Sequence, residues 1–171
     1  MPWYGYHNYL TEHIRTHHSR RLMEIGVYDG DNAVDMVKAA KEASPGGIVE
    51  YYGFDYFTSY SEAEVYSKLK ETGCVYQLFK GDSLETLPRV VDSLPVMDLV
   101  FIDGGKSYQE AQSDWECTQR LVHEGSAVFV HNYDFGGVHK MVNGVSRKEY
   151  DVEIIRESYE GLVARIGLRK I

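Results

Sequence analysis

The run Asp98-Leu-Val-Phe-Ile-Asp103-Gly104-Gly105-Lys106 carries the most chemical information in the chain. An apolar run delivers a carboxylate to its end, two glycines follow, and a lysine stands three residues beyond the aspartate. Glycines at such a point let a ligand lie against bare backbone. A second apolar run, Ala127 to Val130, ends in His131-Asn132-Tyr133. That tripeptide brings a base candidate and an amide to the same edge. His131 is the first candidate for a general base and Lys106 the second. A hydrogen-bonded structural histidine is the other reading of His131.

Three further positions carry polar or glycine residues where an apolar run ends. The first is Glu24-Ile-Gly26-Val-Tyr-Asp-Gly30, a strand running into a glycine-containing turn and then a helix. It lacks the Gly-x-Gly-x-x-Gly spacing that seats a pyrophosphate, and Asp29 and Asp31 would repel one. The loop therefore points to a nucleotide-like ligand without phosphates, or to an ordinary tight turn. The second is Asp55, after Tyr-Tyr-Gly-Phe, where a carboxylate accepts hydrogen bonds from a ribose diol or caps a helix. The third is Asp82-Ser83, after Gly81, which suits an adenine edge or a helix cap, the cap being favoured for Ser83.

These residues need a scaffold that gathers strand ends, and the rest of the chain supplies one. Short runs rich in Ile, Val, Phe and Tyr alternate with segments of helical spacing, the rhythm of a parallel sheet covered on both faces. Strands are expected at about residues 21–27, 48–54, 75–79, 98–102 and 127–130. Helices are expected at about 32–43 and 61–71, a short one from Leu84, and a long one over 108–123 that Gly125 ends. Residues 151–157 and 162–168 read as two strands joined by Ser-Tyr-Glu-Gly, an antiparallel hairpin at the sheet's edge. In such a sheet ligands bind at the carboxyl ends of the strands, which is where the five positions fall.

Composition agrees with a single compact enzyme-sized domain. The chain has 171 residues, 43% of them hydrophobic, and no proline-rich or low-complexity stretch divides it. Eighteen Lys plus Arg against 26 Asp plus Glu disfavour a generic phosphate-binding surface, so no nucleic-acid partner is expected. No apolar run approaches the roughly 20 residues that span a bilayer, so no membrane partner is expected either. Only Cys74 and Cys117 are present, too few for a disulfide framework or a Cys-x-x-Cys metal site. A cytoplasmic setting and buried thiols follow as the expectation.

Taken together, these motifs resemble class I S-adenosylmethionine-dependent methyltransferases, in particular the small O-methyltransferase-like branch. Its fourth strand ends Asp-Gly-x-His-x-Tyr and its fifth His-Asp-Tyr, against Asp103-Gly-Gly-Lys106-Ser-Tyr108 and His131-Asn132-Tyr133 here. The resemblance runs from Arg20 to the C-terminal hairpin, with residues 1–19 as a segment over the pocket. It implies a doubly wound α/β fold, a mostly parallel seven-stranded sheet with an antiparallel C-terminal hairpin. It also implies that Glu24, Gly26 and Gly30 hold the methionine part of S-adenosylmethionine, Asp55 the ribose, and Asp82 with Ser83 the adenine, with Asp103 beside the transferred methyl.

Some members hold magnesium at these strand ends, which implies Asp103, His131 and Asn132 as a weak set of ligands. Lys106 in place of His, and His131-Asn132 in place of His-Asp, leave Asp103 as the one firm carboxylate. The expected partner is a small-molecule methyl acceptor, with a second subunit able to complete a site covered by so short an N-terminal segment. Two competing readings stay open: a cofactor-binding module that has lost catalysis, and a nicotinamide-dependent oxidoreductase, which the missing phosphate-binding glycines disfavour. His13 and His17 lie four apart in the N-terminal segment and suit a solvated helix face better than a metal site. Tyr52, Tyr56, Phe57 and Tyr60 around Asp55 suit packing better than an aromatic wall for a ligand.

Overall fold

Strand-forming runs and amphipathic helices alternate along the chain, and the computed structural model, which describes residues 7–157 and 161–170, folds them into three layers. The strands are β1 (Arg21–Ile25), β2 (Glu50–Asp55), β3 (Val75–Lys80), β4 (Met97–Ile102), β5 (Val122–Val130), β6 (Tyr150–Glu157) and β7 (Gly161–Leu168). They form one seven-stranded sheet in the order β3-β2-β1-β4-β5-β7-β6. The first five run parallel, while β7 pairs antiparallel with both β5 and β6. Strand order reverses between β1 and β4, which opens a crevice at their carboxyl ends.

The helices are α1 (Asn8–His17), α2 (Asp31–Ala43), α3 (Glu62–Thr72), α4 (Ser83–Val90), α5 (Tyr108–Thr118) and α6 (Gly136–Gly144). Because side chains alternate across a strand, each inner strand feeds two cores. Leu22, Tyr51, Leu99, Phe101 and Phe129 pack with Leu10, Ile14, Met36, Val37 and Leu69 of α1, α2 and α3. Met23, Ile25, Phe54, Val100, Ile102 and Val130 pack on the other face with Leu87, Trp115, Val138, Met141 and Val142 of α4, α5 and α6. Burying each such Leu, Ile or Phe contributes about 1.5–3 kcal/mol before chain entropy is subtracted. Among the described residues no helix is long and apolar enough to cross a membrane.

Local chemistry sets where the helices begin. Ser61 and Ser107 each accept a hydrogen bond from the amide three residues on, while Glu64 and Glu110 reach back to the serine amides, two reciprocal capping boxes. Asp82 rather than Ser83 caps α4, its carboxylate accepting from the Leu84 amide at 3.0 Å. The Ser83 cap expected from the sequence is thus corrected by one residue.

The expected helix over 108–123 stops at Thr118, and β5 begins at Val122, so Gly125 lies inside a strand instead of ending a helix. The register slips between the Met97–Val122 and Leu99–Ala127 pairs, and Ser126 makes that slip tolerable. Its hydroxyl accepts from the His123 amide at 2.8 Å and donates to the Met97 carbonyl at 2.6 Å, satisfying groups the bulge leaves over. Helix α6 was hidden by Gly136, Gly137 and Gly144, although Val138, Met141 and Val142 carry its buried face. Gly137 is needed there because a Cβ would lie 2.3 Å from the Lys106 carbonyl oxygen. His13 is buried, stacked at 3.8 Å on His17, so only His17 is on a solvated face. Cys117 is buried and Cys74 half-buried, and both are free thiols. Residues 158–160 of the hairpin connection and residues 1–6 lie outside the described residues.

Candidate active site

Adjacent parallel strands in register deliver adjacent side chains. Phe101 pairs with Phe129 and Ile102 with Val130, so the next residues, Asp103 and His131, come out side by side above the sheet. His131 Nδ1 lies 2.9 Å from Asp103 Oδ1, and Lys106 Nζ lies 2.6 Å from the same oxygen. Burial alone pushes the Asp103 carboxyl up, but the His131 bond and the Lys106 ammonium outweigh it and hold the group below its ordinary value. Asp103 is therefore ionised at neutral pH and accepts only, so the proton between it and His131 sits on Nδ1. Nε2 is then the ring nitrogen that does not face the carboxylate.

His7, just before α1, closes one side of this cluster. Its ring centroid is 5.2 Å from that of His131 and 4.8 Å from that of Phe101, and its Nδ1 is 2.9 Å from the Tyr9 hydroxyl. Burial, helped by His131, lowers the His7 pKa to about 4, so it is uncharged at neutral pH. His7 had no special standing among the N-terminal histidines in the sequence. Nothing in its spacing marks a contact with a residue 124 positions later.

Beside the cluster lies an open cleft of about 220 Å³ at the carboxyl ends of β1, β2, β3 and β4. Gly26, Asp55, Tyr56, Gly81, Asp82, Ser83, Asp103, Gly104, Gly105 and Glu110 line it with Ile25 and Phe54. The structure thus brings together Gly26, Asp55, Asp82, Ser83 and Asp103. It does not bring Glu24 or Gly30 to the cleft wall. Glu24 is buried on the α2 side, accepting from Asn32 Nδ2 at 2.7 Å and from the Tyr51 hydroxyl at 2.5 Å. Burial, only partly offset by those two bonds, raises its pKa to about 8. Gly30 is the residue before α2, with φ +82°, packed against Val65. Asn132 follows His131 in the left-handed region, with φ +56°.

Asp55 does more than face the cleft. Its Oδ2 accepts from the Val27 and Tyr28 amides at 2.8 and 2.9 Å, and its Oδ1 from the Phe57 amide at 2.7 Å. The loops after β1 and β2 are thereby pinned to one carboxylate. Among the described residues, four non-glycine residues have positive φ, and Tyr28, Phe57 and Asn132 belong to these strand-end loops. Each costs of order 1–3 kcal/mol, a cost that tends to be stored where function needs it. Gly26 has φ +91°, and a Cβ there would lie 2.3 Å from the Asp103 carbonyl oxygen. The bareness expected for a ligand is required by the neighbouring strand end.

Tyr52 and Phe57 are buried in the two cores, as packing residues, whereas Tyr56 is 51% exposed on the cleft and Tyr60 packs against Tyr28. Two acidic groups near the cleft come from α5. Glu110 carries a sequence signal, the Ser-x-x-Glu spacing of its capping box with Ser107. Asp114 lies one turn further along α5, fully buried, its Oδ2 close behind Gly104. Neither of its oxygens has a hydrogen bond of normal geometry, and burial, partly offset by nearby Ser83, raises its pKa to about 7.

A larger cavity of about 620 Å³ lies at the other end of the sheet, lined by His13, Arg147, Asp151, Arg165 and Arg169 among others. Two of its arginines are already paired, Arg169 with Asp151 and Arg165 with Glu153, and it holds none of the strand-end residues. Size does not make it the reactive site.

The doubly wound sheet with its antiparallel C-terminal hairpin and a carboxylate-rich cleft at the switch point defines a methyltransferase-type domain. Residues 23–133 match the family described as "Methyltransferase domain", and the chain belongs to that family. No curated protein sequence matches the chain significantly. Solved structures similar to it include the O-methyltransferase TomG from Streptomyces achromogenes, which is involved in tomaymycin synthesis and was solved with SAM. It is 19% identical with a TM-score of 0.72, over 95% of this chain and 78% of that one. The SAH-bound methyltransferase PaMTH1 of Podospora anserina is 16% identical with a TM-score of 0.73, over 95% and 77%. An O-methyltransferase from Bacillus cereus in complex with SAH is 16% identical with a TM-score of 0.71, over 93% and 79%.

Proposed function

We propose that the chain is an S-adenosylmethionine-dependent methyltransferase that acts on oxygen of a small-molecule acceptor. The observation that carries this reading is the lining of the cleft: among the described residues it has four carboxylates, Asp55, Asp82, Asp103 and Glu110, and no Lys, Arg or His. Such a donor set repels a pyrophosphate and suits a ligand bearing a sulfonium and an ammonium, which disfavours the nicotinamide reading. The similar structures solved with SAM or SAH add support.

In this reading Asp55 binds the ribose, Asp82 with Ser83 the adenine, and Gly26 with Asp103 flanks the methionine part. Glu24 and Gly30 act at one remove, by holding the loop and the start of α2. When bound, S-adenosylmethionine supplies a methyl group on a good leaving group. What remains for the protein is to place the acceptor in line and take its proton. Asp103 holds the His131 ring through Nδ1, and Nε2, which is buried beside His7 in the free protein, takes the hydroxyl proton once the acceptor has reached it. Methyl acceptors of this kind suit the exposed strand-end rim, and the two free thiols suit a cytoplasmic setting. A second copy of the chain completing the acceptor site belongs to the same proposal.

Calorimetric titration with S-adenosylhomocysteine, S-adenosylmethionine and NAD tests the cofactor. Binding of the first two and not of NAD is expected, and preferential NAD binding would sink the reading. His131→Ala should keep S-adenosylhomocysteine affinity while losing methyl transfer by about 100-fold or more. Transfer at full rate in that variant would move the base elsewhere.

A further inference from the structure

The resemblance implies magnesium at Asp103, His131 and Asn132, and the donor set does not fit it. Asp103 Oδ1 already accepts from Lys106 Nζ at 2.6 Å and from His131 Nδ1 at 2.9 Å. His131 turns a proton-bearing nitrogen, not a lone pair, toward that carboxylate. Asn132 contributes no charge, and among the described residues no three His, Cys, Asp or Glu side chains gather as a metal site. Magnesium prefers oxygen ligands in octahedral array and gives up its waters reluctantly, so one shared carboxylate oxygen is a poor seat.

We propose that the Lys106 ammonium takes the place beside Asp103 that the ion would need, and that methyl transfer by this chain is metal-independent. The catalytic half of this inference rests on the methyltransferase reading; the exclusion of the ion does not. An ammonium is a compact charge with three N–H donors, of which Asp103 takes one. The remaining donors are left for an acceptor oxygen brought to the His131 side of Asp103. As His131 Nε2 takes the hydroxyl proton, the oxygen gains negative charge, and Lys106 stabilises it by a charge-assisted hydrogen bond. The oxygen then bonds to the methyl carbon, and the electron pair of the breaking C–S bond stays on sulfur. Lys106 keeps its proton throughout and is an electrostatic catalyst instead of a base. The lysine is held for this by the turn itself. Gly137 of α6 lies against the Lys106 carbonyl, so the loop that carries the ammonium is packed from behind.

The test titrates Mn²⁺, a looser and spectroscopically visible substitute for magnesium, into the full chain, its Lys106→Gln variant and its Lys106→Arg variant, read by electron paramagnetic resonance. The parent and Lys106→Arg should bind no ion beyond weak surface sites. Lys106→Gln, with Asp103 Oδ1 released, should bind Mn²⁺ at least about tenfold more tightly. Micromolar binding of Mn²⁺ or Mg²⁺ by the parent overturns the proposal, and so does equal affinity in parent and Lys106→Gln. S-adenosylhomocysteine affinity is measured on the same three samples. Retained affinity in the variants shows that they are folded. Its absence from the parent defeats the methyltransferase reading and leaves the ion result standing. With an acceptor in hand, parent turnover should be unchanged by EDTA, and a loss that magnesium restores would overturn the inference.

Discussion

Glu24→Gln offers a sharp check on the electrostatics beneath the cleft. The carboxyl is 1% exposed, and two bonds, from Asn32 and Tyr51, do not compensate for its removal from water. Its pKa rises from 4.5 to about 8, because burial favours the neutral form and the charges of Asp103 and Asp55 add to that. A group whose folded pKa lies above its unfolded value contributes stability that is complete below the unfolded pKa. That stability is lost as pH rises through the folded pKa. Each unit is worth 1.36 kcal/mol, so between pH 5 and 8 the chain should lose about 4 kcal/mol through this one side chain. Glutamine is the near-isosteric neutral mimic: its carbonyl can accept from Asn32 while its amide donates to the Tyr51 oxygen.

The measurement is urea unfolding of both proteins at half-unit steps from pH 5 to 9, followed by circular dichroism. Other groups also titrate in this range. His7 and His13, held near 4 by burial, lose stability as pH falls below 6.5, and Asp114 at about 7 acts in the same sense as Glu24. The difference between parent and variant cancels them. It should move in favour of Gln by about 1.4 kcal/mol per pH unit up to pH 8 and level off above. A difference independent of pH would mean that Glu24 is charged in the folded protein, and the account of its burial would be wrong.

Removing the Asp55 carboxylate leaves three loop amides without their acceptor, so Asp55→Ala should cost about 2–4 kcal/mol of folding stability even without ligand. A thermal midpoint equal to the parent's would show that the loops hold themselves. Gly26→Ala forces a Cβ to 2.3 Å from the Asp103 oxygen at a positive φ, so about 2 kcal/mol or more of stability should go with any ligand affinity. Normal stability with lost ligand binding would instead restore the ligand as Gly26's close neighbour. Ser126→Ala should cost about 1–2 kcal/mol by unfolding, through the unsatisfied Met97 carbonyl, and an unchanged midpoint would mean that water fills the bulge.

The parallel core was legible because its strands are continuous apolar runs bounded by glycine, proline or acidic residues, as Asp98 to Asp103 shows. Where periodicity is ambiguous, spacing alone does not separate helix from strand. Leu121 and Val122 continue the helical spacing of α5, and only pairing with Met97, a long-range contact, makes Val122 strand. Glycines concealed α6, since Gly137 is required by the Lys106 loop that packs on it, not by any property of its own segment. The strand-end positions of Asp55, Asp82, Asp103 and His131 were legible for the same reason as the strands. What each side chain touches was not: Asp55 grips backbone amides, and Glu24 turns away from the cleft. Such choices depend on the neighbouring loops, whose conformations are set by contacts far apart in the chain.

The grip of Asp55 on Val27, Tyr28 and Phe57 has a kinetic consequence. Two loops that would otherwise have to be ordered by an arriving ligand are already fixed, so little binding free energy is diverted to freezing them. Association should then be a single exponential whose rate rises linearly with ligand concentration, without the plateau that a slow loop closure imposes. Amide exchange at Val27, Tyr28 and Phe57 should be slow before any ligand is added, and it should slow little further afterwards.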